Sequence, residues 1–426
     1  MTDIFDRSYA VGLDHADELK GFQDKFSIPM HGAGSCIYLC GNSLGLQPTR
    51  ARRLVAEVMD HWQALGVKGH LEGKRPWLPY HEFLTNLTAQ LVNAQPREVV
   101  NMNTLTVNLH LMMVSFYRPT AARNRIVIEQ GAFPSDRYAV ESQIVLWGHD
   151  PRSALVELAP REGETLLRHE DIEAYLAREG ERVALVLLPG VQYYTGQRFD
   201  LKRLSRAAHA AGAKVGFDLA HSVGNVPLDL HDDDCDFAVW CSYKYLNGGP
   251  GAVAGAFVHE RHLDSADLPR LHGWWGHDKE RRFLMEPTFQ GIPSAEGWQL
   301  SNPPILSLAP VLASLEIFSE AGMGRLRAKS ERLTGYLEKL LDARLAGRVE
   351  VITPRAPAER GCQLSIRVVG AADRRIEGKA VFERLEGSGV VCDWREPDVV
   401  RVAPVPLYNT FEDVRRFVQR LEDALG

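Results

Sequence analysis

The feature that most constrains this chain is a succession of short apolar runs, each stopping on a polar residue, with helix-patterned stretches between them. RIVIE (125–129), VALVLL (183–188), KVGF (214–217) and DFAVWCS (236–242) all have the composition of strands. Between the second and third, Asp200 can cap a helix that runs to Ala211. Leu201, Leu204, Ala207, Ala208 and Ala211 share one face of it, and Gly212 stops it. Runs that are apolar throughout, rather than at alternate positions, suit strands covered on both faces. The pattern therefore predicts an α/β domain with a mainly parallel central sheet. Ligands on such sheets collect beyond the carboxyl ends of the strands. Asp136, Asp218 and Lys244 follow three of these runs at equivalent places.

The rest of the chain divides around that unit. PILSLAPVLASLEIF (304–318) predicts a long buried helix, and SEAGMGRL (319–326) a glycine hinge. A helix near 325–343, strands at 363–368 and 399–403 and an amphipathic helix from about residue 411 then form a smaller α/β C-terminal domain. The expected organisation is an N-terminal segment (1–49) docking on the small domain, a large domain (50–318) and the small domain (319–426).

Composition narrows the function. The net charge of −6, from 49 basic and 55 acidic residues, argues against a nucleic-acid or anionic-membrane partner. No apolar run approaches the ~18 residues that span a bilayer. The start, MTDIFDRSYA, is mixed and acidic rather than signal-like. Six cysteines (36, 40, 235, 241, 362, 392) form no CxxC pair, and the histidines form no HExxH, so neither a metal site nor a redox pair is expected. Reduced, structural cysteines and a cytoplasmic location follow as expectations.

The chemistry concentrates at the strand ends. Lys244 lies between two tyrosines in CSYKYLNGGPG (241–251), and Asp218 closes VGFD (215–218). An amine that can form a Schiff base and a carboxylate that can keep a pyridine nitrogen protonated are what an enzyme needs to hold pyridoxal 5′-phosphate. Thr104 and Thr106 precede an apolar helix whose start would suit a phosphate, although an ordinary threonine cap reads the same way. AFPSDRY (132–138) offers Phe133 for stacking and Asp136 for a hydrogen bond, or simply a type I turn around Pro134. Arg401 can clamp a carboxylate or form a surface ion pair. No GxGxxG or Walker A motif is present, so nucleotide binding is not indicated.

Taken together, GNSLG (41–45), HLEGKRPW (70–77), NTLTVNLHLMM (103–113), AFPSDRYA (132–139), YYTGQ (193–197), VGFDLAHSVGNV (215–226), CSYKYLNGGPG (241–251), GWWGH (273–277), SNPPIL (301–306) and VRVAPVPLYNTF (400–411) resemble the kynureninases. These belong to the fold-type I, aspartate aminotransferase-like pyridoxal-phosphate enzymes. The resemblance implies hydrolytic cleavage of L-kynurenine or its 3-hydroxy form to an anthranilate and L-alanine, in tryptophan degradation. It implies Lys244, Asp218 and Tyr243 as catalytic residues. It also implies cofactor contacts from Leu105, Thr106 and Tyr243 at the phosphate and from Phe133, Pro134, Ser135, Asp136, Asp218, His221 and Lys244, with Trp274 and Asn302 reaching the cofactor from the partner subunit of a homodimer. Substrate contacts would come from Ser43, His70, Ser301, Asn302 and Arg401. His70, Ser301 and Asn302 are similar to members that favour 3-hydroxykynurenine. Pro189 departs from a position near the phosphate where the family often has a hydroxyl residue. The rivals are another fold-type I enzyme, an aminotransferase or cysteine desulfurase, and a non-catalytic cofactor-binding regulator.

Overall fold

The computed structural model describes residues 3–265, 267–369 and 377–426. Seven strands build the large sheet: β1 (Val99–Asn101), β2 (Arg125–Glu129), β3 (Leu155–Leu158), β4 (Val183–Pro189), β5 (Lys214–Asp218), β6 (Phe237–Trp240) and β7 (Gly255–Val258). Their spatial order is β1-β7-β6-β5-β4-β2-β3. Only β7 runs antiparallel to its neighbours.

Side chains of a strand alternate between faces, and here both faces are dry. Val127, Val186, Val215, Phe217, Ala238 and Trp240 join one buried cluster. The residues between them, Ile126, Ile128, Leu185, Leu187, Phe237 and Val239, join another. That is why the runs are apolar throughout. The crossover helix Leu201–Ala210 begins as expected, with the Asp200 carboxylate accepting the Arg203 amide at 3.0 Å. Gly212 (φ +73°) ends it in a left-handed turn.

Helix α1 (Arg7–His15) precedes this unit, in the N-terminal segment where the sequence pattern predicts no element. Its Gly12 and single fully buried residue, Ala10, leave little periodic signal. Packing supplies what propensity does not: Asp14 accepts the amides of Phe411 (2.7 Å) and Glu412 (3.1 Å), capping the last helix, Phe411–Leu425. Nearby, Lys329 and Asp17 form a buried ion pair of 2.7 Å.

The predicted buried helix is α2 (Ile305–Ala321), and α3 (Met323–Arg344) follows after Gly322 alone. The two helices meet at 82°. Among the described residues no single helix is long and apolar enough to cross a membrane. Beyond α3, β8 (Val349–Val351), β9 (Leu364–Val368), β10 (Asp393–Arg395) and β11 (Val399–Val402) form an antiparallel sheet in the order β8-β9-β11-β10. Ile37–Tyr38 pairs with Val390–Val391, so the N-terminal segment runs against this second unit before residues 41–45 turn toward the large sheet.

Candidate active site

A cavity of about 130 Å³ opens where β2, β4, β5 and β6 end. Asp218 is the last residue of β5, in register with Pro189 of β4 and Val239 of β6. One of its oxygens accepts the Ala220 amide at 2.7 Å, which fixes the carboxylate at the strand tip. Lys244 comes later than the sequence suggests. β6 stops at Trp240, and residues 241–247 fold into a tight turn held by Gly248 N–H to Ser242 C=O (2.8 Å) and Asn247 N–H to Lys244 C=O (2.9 Å). The turn delivers Lys244 Nζ to 3.0 Å from His221 Nε2 and 5.7 Å from the centre of the Phe133 ring.

Two helix starts face the same space. One helix begins at Leu105. The other begins at Pro134, so Phe-Pro-Ser-Asp opens a helix rather than a type I turn; proline at the first helical position has no amide to leave unpaired. Thr106 Oγ1 and Ser135 Oγ lie 2.9 Å apart, joining the two starts, and both line the cavity. Free amides and aligned dipoles from two helices at one point suit a dianion.

The electrostatics are unusual. Glu129, Asp136 and Asp218 all line this small space with one ammonium, that of Lys244. Burial pushes Asp136 well above the ordinary carboxylate range, and Asp218 beside it adds to the effect. Burial likewise pushes Glu129 up to about 8. Burial, and then Lys244, hold His221 well below the usual imidazole value, so it is neutral. Burial raises the Tyr243 phenol, which keeps its proton.

Pyridoxal 5′-phosphate fits this donor set. Asp136 Oδ1 and His221 Nδ1 are buried and lack a hydrogen-bond partner among the described residues. The crowded carboxylates accommodate a ring cation, and the paired helix starts accommodate a phosphate.

Of the residues singled out from the sequence, Leu105, Thr106, Phe133, Ser135, Asp136, Asp218, His221, Tyr243 and Lys244 share the cavity. Pro134 lies next to it in the chain without lining it. Ser43, His70, Trp274, Ser301, Asn302 and Arg401 are not in its wall. His70 packs edge-on to Trp77 at 5.2 Å, and Trp274 Nε1 donates to Asn302 Oδ1 at 2.9 Å in a half-exposed pair. Arg401 is buried, 2.8 Å from Asp393, and donates to the Tyr193 carbonyl at 2.8 Å. Tyr193, Val191 and Glu129 line the cavity and were not picked out. Glu129 closes the run RIVIE exactly as Asp218 closes VGFD, and that parallel was the available signal.

The sequence has close relatives. A family model described as the kynureninase C-terminal domain matches residues 326–421. A kynureninase of Xanthomonas euvesicatoria pv. vesicatoria (strain 85-10) is 58% identical over 422 residues, covering 99% of each chain. Among solved structures, the cysteine desulfurase CsdA from Escherichia coli superposes with a TM-score of 0.75 at 18% identity, over 96% of this chain and 98% of that one. The apo cysteine desulfurase from Thermococcus onnurineus NA1 gives 0.73 at 18%, over 92% and 94%. These two likenesses establish the fold-type I architecture and nothing finer. The end-to-end identity is more specific: the chain belongs to the kynureninase family.

Proposed function

We propose that this chain hydrolyses L-kynurenine, its 3-hydroxy form or both, releasing L-alanine and the corresponding anthranilate. The observation that carries the reading is the meeting of the Lys244 amine, the Asp218 carboxylate and two helix starts in one cavity, in a chain whose relatives are named kynureninase.

When bound, pyridoxal 5′-phosphate supplies an aldehyde for imine formation and a protonated ring that accepts electron density from the substrate. The protein's part is to hold, orient and move protons. Thr106, Ser135 and the amides at the starts of their helices receive the phosphate. Asp218, fixed by the Ala220 amide, keeps the ring nitrogen charged. Phe133 would stack on the ring. Lys244 would hold the cofactor through its amine and would move the proton at the substrate α-carbon, with neutral His221 as its neighbour at 3.0 Å. Tyr243 retains its phenolic proton and serves as a donor near the same atoms. Arg401 is the partner for the substrate carboxylate. Pro189 contributes neither hydroxyl nor amide to the phosphate region, which leaves that load to the helix starts.

The working unit in this reading is a homodimer. Leu271, Trp274, Phe283, Leu284 and Met285 expose large apolar surface in the region that carries the Trp274–Asn302 pair. Burying that region against a second copy would bring Trp274, Ser301, Asn302 and His70 toward the partner's cavity. Residues 1–49, 50–318 and 319–426 then act as strap, cofactor-binding unit and substrate-closing unit.

A desulfurase instead needs a thiolate on an accessible loop. Cys362 and Cys392 are buried, and burial pushes the Cys362 thiol up to about 12. The test is alanine release from L-kynurenine and 3-hydroxy-L-kynurenine by the purified holoenzyme, with kcat/KM for each. Turnover that depends on an added amino acceptor, or sulfide release from cysteine in its place, would overturn the reading.

A further inference from the structure

A buried polar chain joins the second unit to the Lys244 turn. Gln363, 1% exposed and just ahead of β9, is its centre. Its Nε2 donates to the Tyr193 carbonyl at 2.9 Å, and its Oε1 accepts from Asn42 Nδ2 at 3.1 Å. The Tyr193 carbonyl can only accept, so the amide has one usable orientation and both ends are committed.

Each end leads to the cavity. Tyr193 packs edge-on against Phe133, with ring centres 5.2 Å apart, and its carbonyl also receives Arg401 Nη1 at 2.8 Å. Asn42 is wholly buried and belongs to the turn 41–45, whose Gly45 amide donates to the Tyr243 carbonyl at 2.8 Å. Gly45 approaches so closely that a Cβ there would strike the Lys244 carbonyl oxygen. A residue outside the cavity thus ties the arginine, the wall that carries Phe133 and the backbone of the lysine turn into one connected set.

We propose that Gln363 is a positioning residue that couples the Arg401 side of the pocket to the Lys244 turn through Asn42 and the 41–45 strap. This rests on the reading of Lys244 as cofactor-bearing and Arg401 as substrate-facing. Seating of a carboxylate at Arg401 shifts the Tyr193 carbonyl, and Gln363 passes that shift to the strap. A coupling of this kind is established by non-additivity, not by the path of contacts.

The experiment compares holoenzymes carrying Asn42→Ala, Gln363→Ala and both changes. Asn42→Ala removes the donor to Gln363 without placing a charge in this buried site, and a cooperative thermal melt for each variant separates coupling from loss of fold. Two quantities are read: kcat/KM for L-kynurenine, and the midpoint of the pH titration of the cofactor's absorption, which reports on the surroundings of Lys244. Each single change is expected to lower kcat/KM by ~10-fold and move the midpoint, and the double variant to be within ~3-fold of the worse single one. A double variant that falls by the product of the two single effects, or midpoints that stay at the wild-type value in all three, overturns the proposal. Should wild-type holoenzyme leave kynurenine intact while the midpoints shift non-additively, the substrate assignment falls and the coupling stands.

Discussion

Gly45→Ala is a one-carbon perturbation with an outcome that can be worked out beforehand. The added Cβ would lie 2.8 Å from the Asn247 Cα and closer still to the Lys244 carbonyl and the Asn247 side chain. Non-bonded heavy atoms settle at ~3.5 Å or more, so relief takes ~1 Å of movement. None of the struck groups is free to give way. The Lys244 carbonyl already accepts the Asn247 amide, and Asn247 is buried and held in a left-handed conformation (φ 51°). The strap itself is pinned by the Gly45 amide on Tyr243. The lysine turn is therefore displaced by a fraction of that ~1 Å, together with Tyr243. Misplacement on this scale at a reacting group lowers turnover by up to ~100-fold, while overpacking costs ~1–3 kcal/mol of stability. The assay is steady-state alanine release at saturating cofactor, beside a thermal melt. We expect kcat to fall at least ~10-fold with the melt still cooperative. A variant with kcat within ~2-fold of wild type would show that the strap does not set the lysine's position.

Asp218→Asn should leave far-ultraviolet circular dichroism unchanged and reduce turnover by ~100-fold or more, because the amide cannot hold a ring nitrogen cationic; near wild-type kcat refutes that role. Glu129 has a folded-state value raised to about 8 by burial. Its contribution to stability is complete below the unfolded value near 4.3 and is lost as pH rises toward 8, since only the unfolded chain releases the proton in that window. Glu129→Gln should therefore gain in melting temperature relative to wild type as cofactor-free samples go from pH 5 to pH 8, and a constant difference contradicts the argument. Replacing His70 or Asn302 by alanine should change the ratio of kcat/KM for 3-hydroxykynurenine over kynurenine by ~5-fold or more, whereas equal losses on both substrates would assign them a structural role. Sedimentation of Trp274→Glu should show a smaller species than wild type, and identical profiles would remove Trp274 from the subunit contact.

The residues legible from sequence were those whose roles follow from local chain geometry. A polar residue closing an apolar run sits at a strand tip wherever the strand lies, which is how Asp218 and the neighbourhood of Lys244 could be placed. Two cases resisted for physical reasons. Phe-Pro-Ser-Asp suits a turn and a helix start equally, because proline's fixed φ serves both, and tertiary packing chose the helix. Gln363 and Tyr193 matter through contacts between residues 170 apart, and nothing in the periodicity of QLSIRV or VQYYTG announces them. The helix at residues 7–15 stayed hidden because its support comes from the far end of the chain, through Phe411 and Glu412.

The junction at Gly322 carries a mechanical consequence. Its backbone (φ 74°, ψ 129°) is open to glycine and strained for other residues, and it is all that separates α2 from α3. A helix of 22 residues is ~33 Å long, so a swing of only ~5° about that point carries its tip ~3 Å. With α2 buried against the large sheet, any torsion at that one residue would be magnified along the second helix into travel comparable to the width of a water molecule.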